Sequence, residues 1–591
     1  MNERAGRQHR AAQRHRLERK RSEALVHDGP NAATIRKDAL LDCGWGRLIF
    51  AHTFDTAESI AEVLRAEGSD RRDIAFYVRD PHVALAIAPQ ELFLDPSHTF
   101  RLNLATYSPA RRRHRAFSIR RLSTRRDAEE INVIYAQRDM VPVPTDFFWD
   151  KRDARAVIVL VAEDAETGEV LGSVMGVDHH VAFNDPERGS SLWCLAVAQQ
   201  APHGGIGEAL VRRLAEHFKG RGAGFLDLSV LHDNEQAIGL YEKLGFRRVH
   251  VYALKRKNPI NERLYTGPAV EGDLNPYARI IVDEALRRGI HVSVTDAPRG
   301  LFRLTYGGRT IRCREALTDL TSAVSMSICD DKRATRTIVE AAGVRVPAQM
   351  ADPSAEARAG FLEQHGEVVV KPARGEQGQG VSVGLTTPDE VEAAVEAAKR
   401  FSDDVIVEEC FQGDDLRLVV IDYKVVAAAI RRPALVVGDG QSSVRKLIET
   451  QSRRRAAATG GESRIPLDAE TERAVRSAGY SLDDVPESGA TFAVRKTANL
   501  HTGGTLHDVT DRTHGTLVSA AVAAARAIEI PVTGIDLMVK SPSEPDYVFI
   551  EANERPGLAN HEPQPTAERF VDLLFPLSIP QSVRSAQWRA R

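Results

Sequence analysis

The chain has 591 residues, which at ~150 residues per domain indicates about four domains of ordinary size. Hydrophobic residues make up 42% and charged residues 27%, a composition typical of folded globular proteins and unlike that of disordered or collagen-like chains. The net charge of -3 indicates neither nucleic acid nor another strongly charged partner. No apolar run approaches the ~18 residues that a membrane-crossing helix needs, so no membrane partner is expected.

The first 38 residues are strongly basic and lack the apolar core and cleavage site of a secretory signal. We predict a disordered tail here, with binding to an anionic surface or nucleic acid as the less favoured alternative. Five cysteines are scattered without metal-ligand spacing, and their odd number argues against a disulfide framework. A cytoplasmic, reducing location is therefore expected, with these thiols mostly buried as small apolar groups.

Alternating strand and helix patterns divide the rest of the chain. A small α/β region is predicted over residues 39–116, and a mixed sheet with helices on its faces over residues 117–258. A stretch rich in Pro, Gly and Asn predicts a linker over 259–270. An α/β region over 271–330 then contains a hairpin whose Gly307 and Gly308 suit a primed turn. A strand-rich domain is predicted over 331–580, with an insertion at about 436–490 that carries its own helix, and a tail over 581–591.

The stretch "PHGGIGEAL" at residues 202–210 places glycines at the start of an amphipathic helix. Backbone N–H groups at a helix start are unpaired and the helix dipole is positive there, so a pyrophosphate binds readily. An ordinary glycine-rich turn is the structural alternative. The residues predicted to form the cradle are Gly204, Gly205, Ile206, Gly207 and Glu208.

A second motif, "HDNEQAIGLYEKLGF", follows about twenty-five residues later. Together the two motifs resemble those of the GNAT acyl-CoA N-acetyltransferases, and the resemblance covers residues 117–258. The first motif departs from the family at Pro202, where the family has a basic or amide side chain. The resemblance implies that Asn234 contacts the acetyl-CoA arm and that Tyr241 protonates the departing thiolate, a role that a phenol can perform. The structural alternative is that Tyr241 packs in the core.

No general base for the acetyl acceptor can be identified from the sequence. Glu208, His203 and His232 are near the motifs, but His and Glu at helix ends are usually caps or surface residues. Cys194, beside Trp193, suggests an acyl-enzyme, although a cysteine within a strand is more often unreactive core.

A different glycine-rich stretch, "VVVKPARGEQGQGVSVG" at residues 368–384, is not a Walker P-loop, because its lysine precedes the glycines. It resembles the hinged glycine loop of the ATP-grasp ligases, whose motifs follow in order over about residues 331–557. The resemblance implies that Lys332 and Lys371 bind the α and β phosphates of ATP. It also implies that backbone groups close over the terminal phosphates at Gly378, Gln379, Gly380 and Val381.

Further roles follow from the same resemblance. The adenine-contacting hinge falls on Glu408, Glu409, Cys410 and Phe411, with Asp415 at the ribose and Arg417 at the phosphate or acyl-phosphate. Carboxylate activation develops charge that cations must neutralise, and Mg2+ prefers oxygen ligands. The predicted metal-binding residues are Asp536, Glu551 and Asn553.

Within that superfamily, "GDDLRLVV" and "RKTANLHTGGTLHDVTD" resemble the ATP-grasp half of cyanophycin synthetase and glutamate-adding ligases. The second stretch supplies Arg495 as a candidate catalytic residue, together with Asn499, Gly503 and Gly504. The Mur-ligase-like domain that follows in cyanophycin synthetase is not found, so repeated polymerisation is not expected.

An N-acetyltransferase followed by an amino-acid-adding ligase resembles the bacterial N-acetylglutaminylglutamine synthetase family. The fold class implied is a multidomain α/β and α+β protein, a GNAT fold followed by an ATP-grasp fold. The resemblance implies ATP, Mg2+ and acetyl-CoA as cofactors, glutamine or glutamate as substrate, and synthesis of an osmoprotectant dipeptide. An amidotransferase of the asparagine synthetase type is the implied functional partner.

Two alternatives stay open from the sequence. The chain could modify protein or peptide tails, or its GNAT part could be a non-catalytic acetyl-CoA sensor that regulates the ligase. The order of acetylation and ligation, the choice between Glu and Gln and the oligomeric state also stay open.

Overall fold

The computed structural model describes residues 34–68, 70–109, 115–267, 273–350, 354–375, 379–458, 463–496, 498, 500–580 and 583. Contacts within the chain divide it into two compact units, with the main division after Gly267. The predicted tails lie outside the described residues, apart from residues 34–38 at one end and Val583 at the other. None of the described helices is both long and apolar enough to cross a membrane.

The first unit contains twelve strands and eight α-helices among its described residues. The strands are β1 (Leu40–Asp42), β2 (Arg47–Phe50), β3 (Ile74–Val78), β4 (Leu92–Leu94), β5 (Ser97–Asn103), β6 (Phe117–Arg121), β7 (Val157–Asp164), β8 (Val170–Asp178), β9 (Gly189–Val197), β10 (Phe225–Leu231), β11 (Arg247–Val249) and β12 (Tyr252–Arg256). The helices are α1 (Ala57–Arg65), α2 (Pro81–Ile87), α3 (Arg125–Gln137), α4 (Thr145–Lys151), α5 (His179–Phe183), α6 (Ile206–Gly220), α7 (Glu235–Lys243) and α8 (Glu262–Tyr265).

These strands form two sheets, and each sheet contains strands from both sides of residue 116. The larger sheet has the order β11-β5-β10-β9-β8-β7-β6 and the smaller one β1-β2-β3-β12-β4. Strand β5 precedes the predicted boundary at residue 116, yet it pairs with β10 and β11. Strand β12 follows that boundary, yet it pairs with β3 and β4. Residues 39–116 are therefore an integral part of the same unit and not a separate small region.

The segment "RRVHVYALKR" at residues 247–256 has the pattern of a single strand but forms two. Strand β11 ends at Val249 in the larger sheet and β12 begins at Tyr252 in the smaller one. The chain crosses between the sheets at His250 and Val251, and the Val251 carbonyl accepts a hydrogen bond from Thr99 Oγ1 at 3.0 Å. Each half has a strand pattern of its own, so the change of sheet leaves no mark in the sequence.

Two hydrophobic clusters cover the two faces of the larger sheet. Helix α6 places Leu210, Leu214 and Phe218 on one side, at the spacing of an amphipathic helix. The other face packs against α3 and α4 and against strands of the smaller sheet. Leu192 and Trp193, successive residues of β9, belong to opposite clusters because side chains alternate along a strand.

The second unit contains fifteen strands and nine α-helices among its described residues. The strands are β13 (His291–Asp296), β14 (Leu301–Tyr306), β15 (Arg309–Arg314), β16 (Leu317–Thr318), β17 (Gln349–Met350), β18 (Val368–Pro372), β19 (Ser382–Leu385), β20 (Val405–Glu409), β21 (Asp414–Ile421), β22 (Lys424–Arg432), β23 (Leu435–Val437), β24 (Thr491–Ala493), β25 (Thr505–Asp508), β26 (Val532–Val539) and β27 (Tyr547–Asn553). The helices are α9 (Pro276–Arg287), α10 (Ala323–Asp330), α11 (Lys332–Ala341), α12 (Ala355–His365), α13 (Pro388–Lys399), α14 (Val444–Ala458), α15 (Ala469–Ser477), α16 (Gly515–Ala527) and α17 (Thr566–Leu574).

Four sheets organise this unit, in the orders β13-β14-β15-β16, β17-β20-β18-β19, β25-β22-β21-β26-β27 and β23-β24. The predicted hairpin joins β14 to β15, with Tyr306 opposite Arg309. Gly307 and Gly308 have φ angles of 56° and 82°, the left-handed values that a primed turn requires.

The predicted insertion forms a small subdomain with its own apolar cluster. It consists of β23, α14, α15 and β24, so it carries two helices where the sequence predicted one. Val436, Val444, Ile448 and Val475 are among the buried residues that hold it together.

Candidate active sites

Strand β9 bends at Cys194 in the first unit. Ser173 of β8 lies opposite Ala196 and Met175 opposite Trp193, so β9 holds one extra residue at this point. Cys194 has a φ of 50°, a left-handed value that marks the bulge. Pairing between β9 and β10 stops at Leu192, and β10 continues along β5 alone. Backbone groups of β9 beyond the bulge therefore lie at an edge that an extended ligand can pair with.

The predicted anion cradle follows directly after β9. Gly205 precedes α6 with a φ of 84°, a conformation that favours glycine. A Cβ added at Gly204 would meet nothing within 4 Å, and at Gly207 nothing closer than 3.7 Å. Packing within the protein therefore leaves the glycine backbone at the helix start open, and Gly204 and Gly205 are exposed. This geometry suits a pyrophosphate.

The side chains of Glu208 and Asn234 have partners within the protein. Glu208 lies in the first turn of α6, and its carboxylate accepts hydrogen bonds from Arg212 Nε at 2.9 Å and Lys243 Nζ at 2.7 Å. Asn234 caps α7, because its Oδ1 accepts a hydrogen bond from the Ala237 N–H at 3.1 Å. Only the backbone of Glu208 thus remains for the predicted cofactor contact, while Asn234 is exposed at a helix start.

Tyr241 lies in the hydrophobic cluster that also contains α6, and only 5% of its surface is exposed. Its ring packs against Phe246, with 5.6 Å between centroids. Burial raises the pKa of the Tyr241 phenol to about 12, so the hydroxyl keeps its proton at neutral pH. Tyr241 can therefore both pack in the core and donate a proton, the two roles that the sequence left as alternatives.

None of the three sequence candidates is well placed as a general base. The ring of His203 is bound to Asp164 Oδ2 at 2.9 Å. Hydrogen bonds from Lys243 and Arg212 lower the pKa of Glu208, which weakens it as a base. His232 is exposed at the end of β10. Burial raises the pKa of the Cys194 thiol to about 12, which argues against the acyl-enzyme alternative.

The second unit encloses a cavity of about 1260 Å³. This volume exceeds the ~300–1000 Å³ of ordinary small-molecule sites, so it can hold a nucleotide together with a second substrate. Thirteen of the residues predicted for this site line it: Lys332, Lys371, Gln379, Val381, Glu408, Glu409, Cys410, Phe411, Asp415, Arg417, Asp536, Glu551 and Asn553.

A network of charged side chains forms one wall of this cavity. Asp415 lies opposite Arg431 across β21 and β22, and Arg417 lies opposite Asp536 across β21 and β26. Arg431 NH2 donates to Asp415 Oδ1 and to Asp536 Oδ2, each at 2.8 Å. Arg417 donates from Nε to Oδ1 of Asp536 and from NH2 to Oδ2, the latter at 2.9 Å. Residues 415 and 417 share a face because side chains alternate along a strand.

The same network shifts the pKa values of Asp415 and Asp536 in opposite directions. Burial and the neighbouring Asp536 raise the pKa of Asp415 to about 6, although Arg431 counteracts them. Burial also acts to raise the pKa of Asp536, but the guanidinium groups of Arg417 and Arg431 hold it below its usual value. Asp536 is thus an anion, as a metal ligand must be.

The predicted metal-binding residues lie together on β26 and β27. Asp536 and Glu551 are cross-strand partners, and Asn553 Nδ2 lies 3.4 Å from Asp536 Oδ2. Two carboxylates and an amide suit Mg2+ that also binds substrate phosphates, rather than an all-protein cage. Among the described residues, no three His, Cys, Asp or Glu side chains form a metal cluster, in keeping with this small donor set.

Two lysines lie where phosphates would be held. Lys332 Nζ donates to the Gly375 carbonyl at 2.9 Å and lies 4.0 Å from Glu551 Oε2, so it connects the glycine loop with the metal-binding acids. Lys371 Nζ is bound to Glu408 Oε1 at 2.5 Å, and both side chains are buried. Because Lys371 binds the Glu408 carboxylate, the Glu408 side chain is not left to contact a base.

Two predicted residues of the glycine loop do not contribute to the described lining of the cavity. Gly378 lies outside the described residues. Gly380 is described but does not line the cavity. Its φ is 70°, and an added Cβ would lie 2.8 Å from the Phe401 ring, so both the backbone and the packing require glycine there.

Arg495 has a structural role instead of the predicted catalytic one. It does not line the cavity, and its guanidinium is bound to Asp468 Oδ1 at 2.6 Å and to Glu470 Oε2 at 2.9 Å at the start of α15. The next residue, Lys496, lines the cavity instead. Asn499 lies outside the described residues.

The sequence analysis missed Arg431, Lys496 and His561, all of which line the cavity. Arg431 could have been found as one of the two basic residues that end "KVVAAAIRR", both of which line the cavity. Burial lowers the pKa of His561 to about 4, so this histidine is neutral at pH 7. It ends a short 3-10 helix, Leu558–His561, that follows β27, and an element of four residues has no periodicity that predicts the direction of this side chain.

Comparison with known proteins assigns both parts of the chain. The family described as "Acetyltransferase (GNAT) family" matches residues 124–246. Cyanophycin synthetase of Nostoc sp. (strain PCC 7120 / SAG 25.82 / UTEX 2576) is 35% identical over 321 residues, which is 52% of this chain and 36% of that protein. The glutathione biosynthesis bifunctional protein GshAB of Clostridium perfringens (strain 13 / Type A) is 27% identical over 321 residues, 51% of this chain and 41% of that protein.

Among solved structures, a bifunctional glutathione synthetase from Pasteurella multocida matches 63% of this chain and 50% of its own, at 22% identity and a TM-score of 0.39. The chain spans about two fifths of the length of the curated relatives it matches. The predicted fold class, a mixed α/β multidomain protein, is confirmed. Residues 124–246 therefore match the GNAT acetyltransferase family, about half of the chain is similar to cyanophycin synthetase, and both similarities are to enzymes.

Proposed function

We propose that the chain is a bifunctional enzyme that makes the osmoprotectant dipeptide N-acetylglutaminylglutamine. The ATP-grasp part would join glutamine or glutamate units at the expense of ATP, and the GNAT part would acetylate the α-amine. The observation that carries the proposal is a cavity of the second unit, whose lining includes Lys332, Lys371, Arg417 and Arg431 together with the predicted metal ligands. Glutamine chemistry itself rests on the family resemblance of the fused domains.

In the ligase part, a substrate carboxylate attacks the γ-phosphorus of ATP, which gives an acyl phosphate and ADP. An amine then attacks the acyl carbon, and inorganic phosphate leaves as the amide forms. Lys332 and Lys371 would bind phosphate oxygens, and Arg417 would face the charge that develops on the transferred group. Mg2+ bound by Asp536, Glu551 and Asn553 would neutralise phosphate charge and align the phosphates.

In the acetyltransferase part, the backbone at Gly204–Glu208 would hold the pyrophosphate of acetyl-CoA, and the free edge of β9 would pair with its amide-bearing arm. The acceptor ammonium first gives up a proton, and its nitrogen then attacks the thioester carbon. The new N–C bond forms as the C–S bond breaks, and the second amine proton leaves to solvent. Tyr241 would give its proton to the departing thiolate, since its phenol is protonated at neutral pH.

The named relatives support this class of chemistry without fixing the substrate. Cyanophycin synthetase and GshAB are named for the synthesis of cyanophycin and of glutathione. The chain is similar to about two fifths of the length of each. Acetylation would remove the positive charge of the free amine, which suits a neutral compatible solute. An amidotransferase of the asparagine synthetase type would supply the terminal amide, and the cytoplasm would supply the substrates.

Product identification tests the proposal. The full chain, incubated with ATP, Mg2+, acetyl-CoA and either glutamine or glutamate, should release ADP, phosphate and an acetylated dipeptide that mass spectrometry detects. Lys371→Ala should abolish ADP formation, and Tyr241→Phe should slow acetylation. The absence of any ATP-dependent dipeptide with either amino acid would refute the ligase assignment. If Tyr241→Phe leaves acetylated product unchanged while CoA alters ligase kinetics, the GNAT part is a sensor.

A further inference from the structure

Part of the lining of the cavity in the second unit carries polar side chains to which neither the nucleotide nor the metal assigns a role. These residues come from three separate segments: Asn275 and Tyr277 at the start of α9, Glu315 between β15 and β16, and Arg555 and Asn560 after β27. Arg555 follows the predicted metal ligand Asn553 by two residues, so this part of the lining adjoins the metal-binding acids.

Glu315 is held in place by its backbone and by Asn275. Its φ of 53° is a left-handed value that is uncommon for residues other than glycine, and its N–H donates to the Gly300 carbonyl at 2.9 Å. A Cβ added at Gly300 would lie 2.9 Å from Glu315 Cγ, so glycine leaves the room that this side chain occupies. Asn275 Nδ2 donates to Glu315 Oε1 at 2.9 Å, while Asn275 Oδ1 caps α9. One carboxylate oxygen is therefore anchored, and the other is directed at Arg555.

The guanidinium of Arg555 lies beside that carboxylate without closing on it. Its NH1 lies 3.5 Å from Glu315 Oε2, longer than the roughly 2.7–2.9 Å of a charge-assisted hydrogen bond. Within the part of the chain that the structure describes, Arg555 donates no hydrogen bond to another residue. The side chains of Glu315 and Arg555 are 16% and 29% exposed. An acceptor oxygen and a donor nitrogen thus face the cavity side by side.

Close packing fixes Arg555 relative to α9. A Cβ added at Gly557 would lie 2.9 Å from the Tyr277 ring and 2.8 Å from Asn560 Nδ2. The turn that follows Arg555 therefore packs directly against the helix that Asn275 caps. Packing and hydrogen bonds thus hold both members of the pair before any substrate binds.

The charges around the pair leave no surplus of positive charge. Glu315 and Arg555 balance each other, and the lining adds two further acids, Asp330 at the end of α10 and Glu554 beside Arg555. Burial raises the pKa of the Cys329 thiol to about 12, and the charge of Glu554 adds to this effect, so Glu554 lies near the end of α10. An additional carboxylate from a substrate would therefore lack a compensating cation here.

The other cations of the lining face different partners or elements. Lys332 faces Gly375 and Glu551, Lys371 faces Glu408, Arg417 and Arg431 face Asp536, Arg432 lies opposite Thr505, and Lys496 Nζ lies 3.3 Å from the Cβ position of Gly384. His561 also lines the cavity and is neutral at pH 7, because burial lowers its pKa to about 4.

A primary carboxamide fits such a pair better than a carboxylate does. The amide nitrogen donates and the amide oxygen accepts, so one planar group satisfies both Glu315 and Arg555. A carboxylate offers acceptors alone, so Glu315 would be left without a donor and the two negative charges would repel each other. A site built to hydrogen-bond one substrate group strongly rejects an analogue that lacks it.

We propose that Glu315 and Arg555 bind the side-chain carboxamide of a glutamine substrate of the ligase and reject glutamate. The amide N–H donates to Glu315 Oε2, and the amide oxygen accepts from Arg555 NH1. The proposal rests on the ligase part of the proposed function and deepens it, because it selects between the two amino acids. It gives residues 271–330 a role, because they supply Asn275 and Glu315.

Substrate preference tests the subsite in the full chain with ATP and Mg2+, with ADP release as the readout and L-glutamine or L-glutamate as the sole amino acid. The wild type should show a kcat/KM for glutamine at least ~10-fold above that for glutamate. Glu315→Gln should lower the glutamine value and bring the two values to within ~3-fold of each other. Glu544→Gln, at an exposed glutamate of the same unit, is the matched control and should keep the wild-type ratio.

A second variant covers the case in which Glu315→Gln does not fold, which thermal unfolding detects. Asn275→Ser keeps a capping hydroxyl for α9 but removes the amide donor that anchors Glu315 Oε1. It should lower the preference for glutamine at least ~3-fold while the protein stays folded. An unchanged preference in Asn275→Ser would then count against the subsite.

Three results would overturn the proposal: a wild type that uses both amino acids equally, a Glu315→Gln variant that keeps the wild-type preference, or one that loses both activities alike. The last result would assign the pair to the head group that both amino acids share. If the wild type releases no ADP with either amino acid, the proposed ligase function fails, and calorimetric titration with ADP and Mg2+ present decides the subsite separately. Tighter binding of glutamine than of glutamate that Glu315→Gln abolishes supports it, and equal or absent binding refutes it.

Discussion

Arg417 and Asp536 lie directly opposite each other on β21 and β26, and the guanidinium of Arg417 binds both oxygens of the Asp536 carboxylate. Arg431 donates to the same carboxylate from the other side of β21. A predicted metal ligand is thus held in one orientation by two arginines before any metal arrives. The arrangement follows from strand register, because residues 415 and 417 face the same side of the sheet.

Arg431→Met should destabilise the second unit by ~3–5 kcal/mol, because it leaves the buried carboxylate of Asp536 and the partly exposed carboxylate of Asp415 short of a partner. Calorimetric unfolding of the full chain measures the effect. Arg432→Met is the control for stability, since Arg432 is exposed at the same cavity wall and should cost less than ~0.5 kcal/mol. Equal losses in the two variants would contradict the role assigned to Arg431.

Tyr241→Phe should lower kcat for acetyl transfer by ~10²–10⁴-fold, the usual loss when a positioned proton donor is removed. The affinity for CoA should not change, because the predicted cradle lies in the backbone of Gly204–Glu208. Stopped-flow measurement of CoA release, together with calorimetric binding of CoA, separates the two effects. Tyr252→Phe removes an exposed hydroxyl and serves as the control. A fall in CoA affinity with unchanged kcat would assign Tyr241 to packing alone.

Neighbouring residues Arg495 and Lys496 should behave in opposite ways. Arg495→Met removes a buried guanidinium from two carboxylates, of which that of Asp468 is half exposed, and should cost ~1–3 kcal/mol of stability. Lys496→Met removes a cation from the cavity wall and should raise the KM for ATP or the amino-acid substrate ~10-fold with no change in melting temperature. Steady-state ADP release and thermal unfolding of both variants test the pair. An Arg495→Met variant that folds normally but cannot hydrolyse ATP would restore its predicted catalytic role.

Glu67 should make the stability of the first unit depend on pH. Burial raises its pKa from an ordinary 4.5 to about 7, against hydrogen bonds from the Asp73 N–H and Asn258 Nδ2. Between these values the folded protein holds a proton that the unfolded chain releases, so the contribution is full below pH 4.5 and is lost as pH rises through 7.

Glu67→Gln should therefore gain stability relative to the wild type by about 1–2 kcal/mol between pH 5 and pH 8. Urea unfolding at a series of pH values measures this difference. The exposed Glu58→Gln, on α1, is the control and should keep a constant difference from the wild type. A difference for Glu67→Gln that does not change with pH would show that the carboxyl is already charged in the folded protein.

The sequence was sufficient for features that depend on local pattern. Glycines at 307 and 308 predicted the hairpin, and the order of motifs predicted thirteen of the residues that line the cavity. Features that depend on which sheet a strand joins were out of reach. Nothing in "RRVHVYALKR" shows that its two halves join different sheets.

For a related reason, the sequence could not show which of Arg495 and Lys496 faces the cavity. Both are long cations in a segment of little regular structure, so no alternation of apolar residues shows which one faces inward. Burial of Arg495 depends on carboxylates that α15 brings from more than twenty residues away. A family resemblance predicts which residue types occur along a motif, whereas the direction of each side chain depends on packing.

The pairing of strand β5 with β10 limits how the acetyltransferase part could be isolated or moved into another protein. The GNAT match begins at residue 124, but β10 pairs along its full length, Phe225–Leu231, with a strand that ends at Asn103. A module excised at the limits of the match would expose seven residues of unpaired strand edge, a template for association between copies. The segment that matches the GNAT family is therefore shorter than the segment that completes the sheet. Only the longer segment can be moved as a unit.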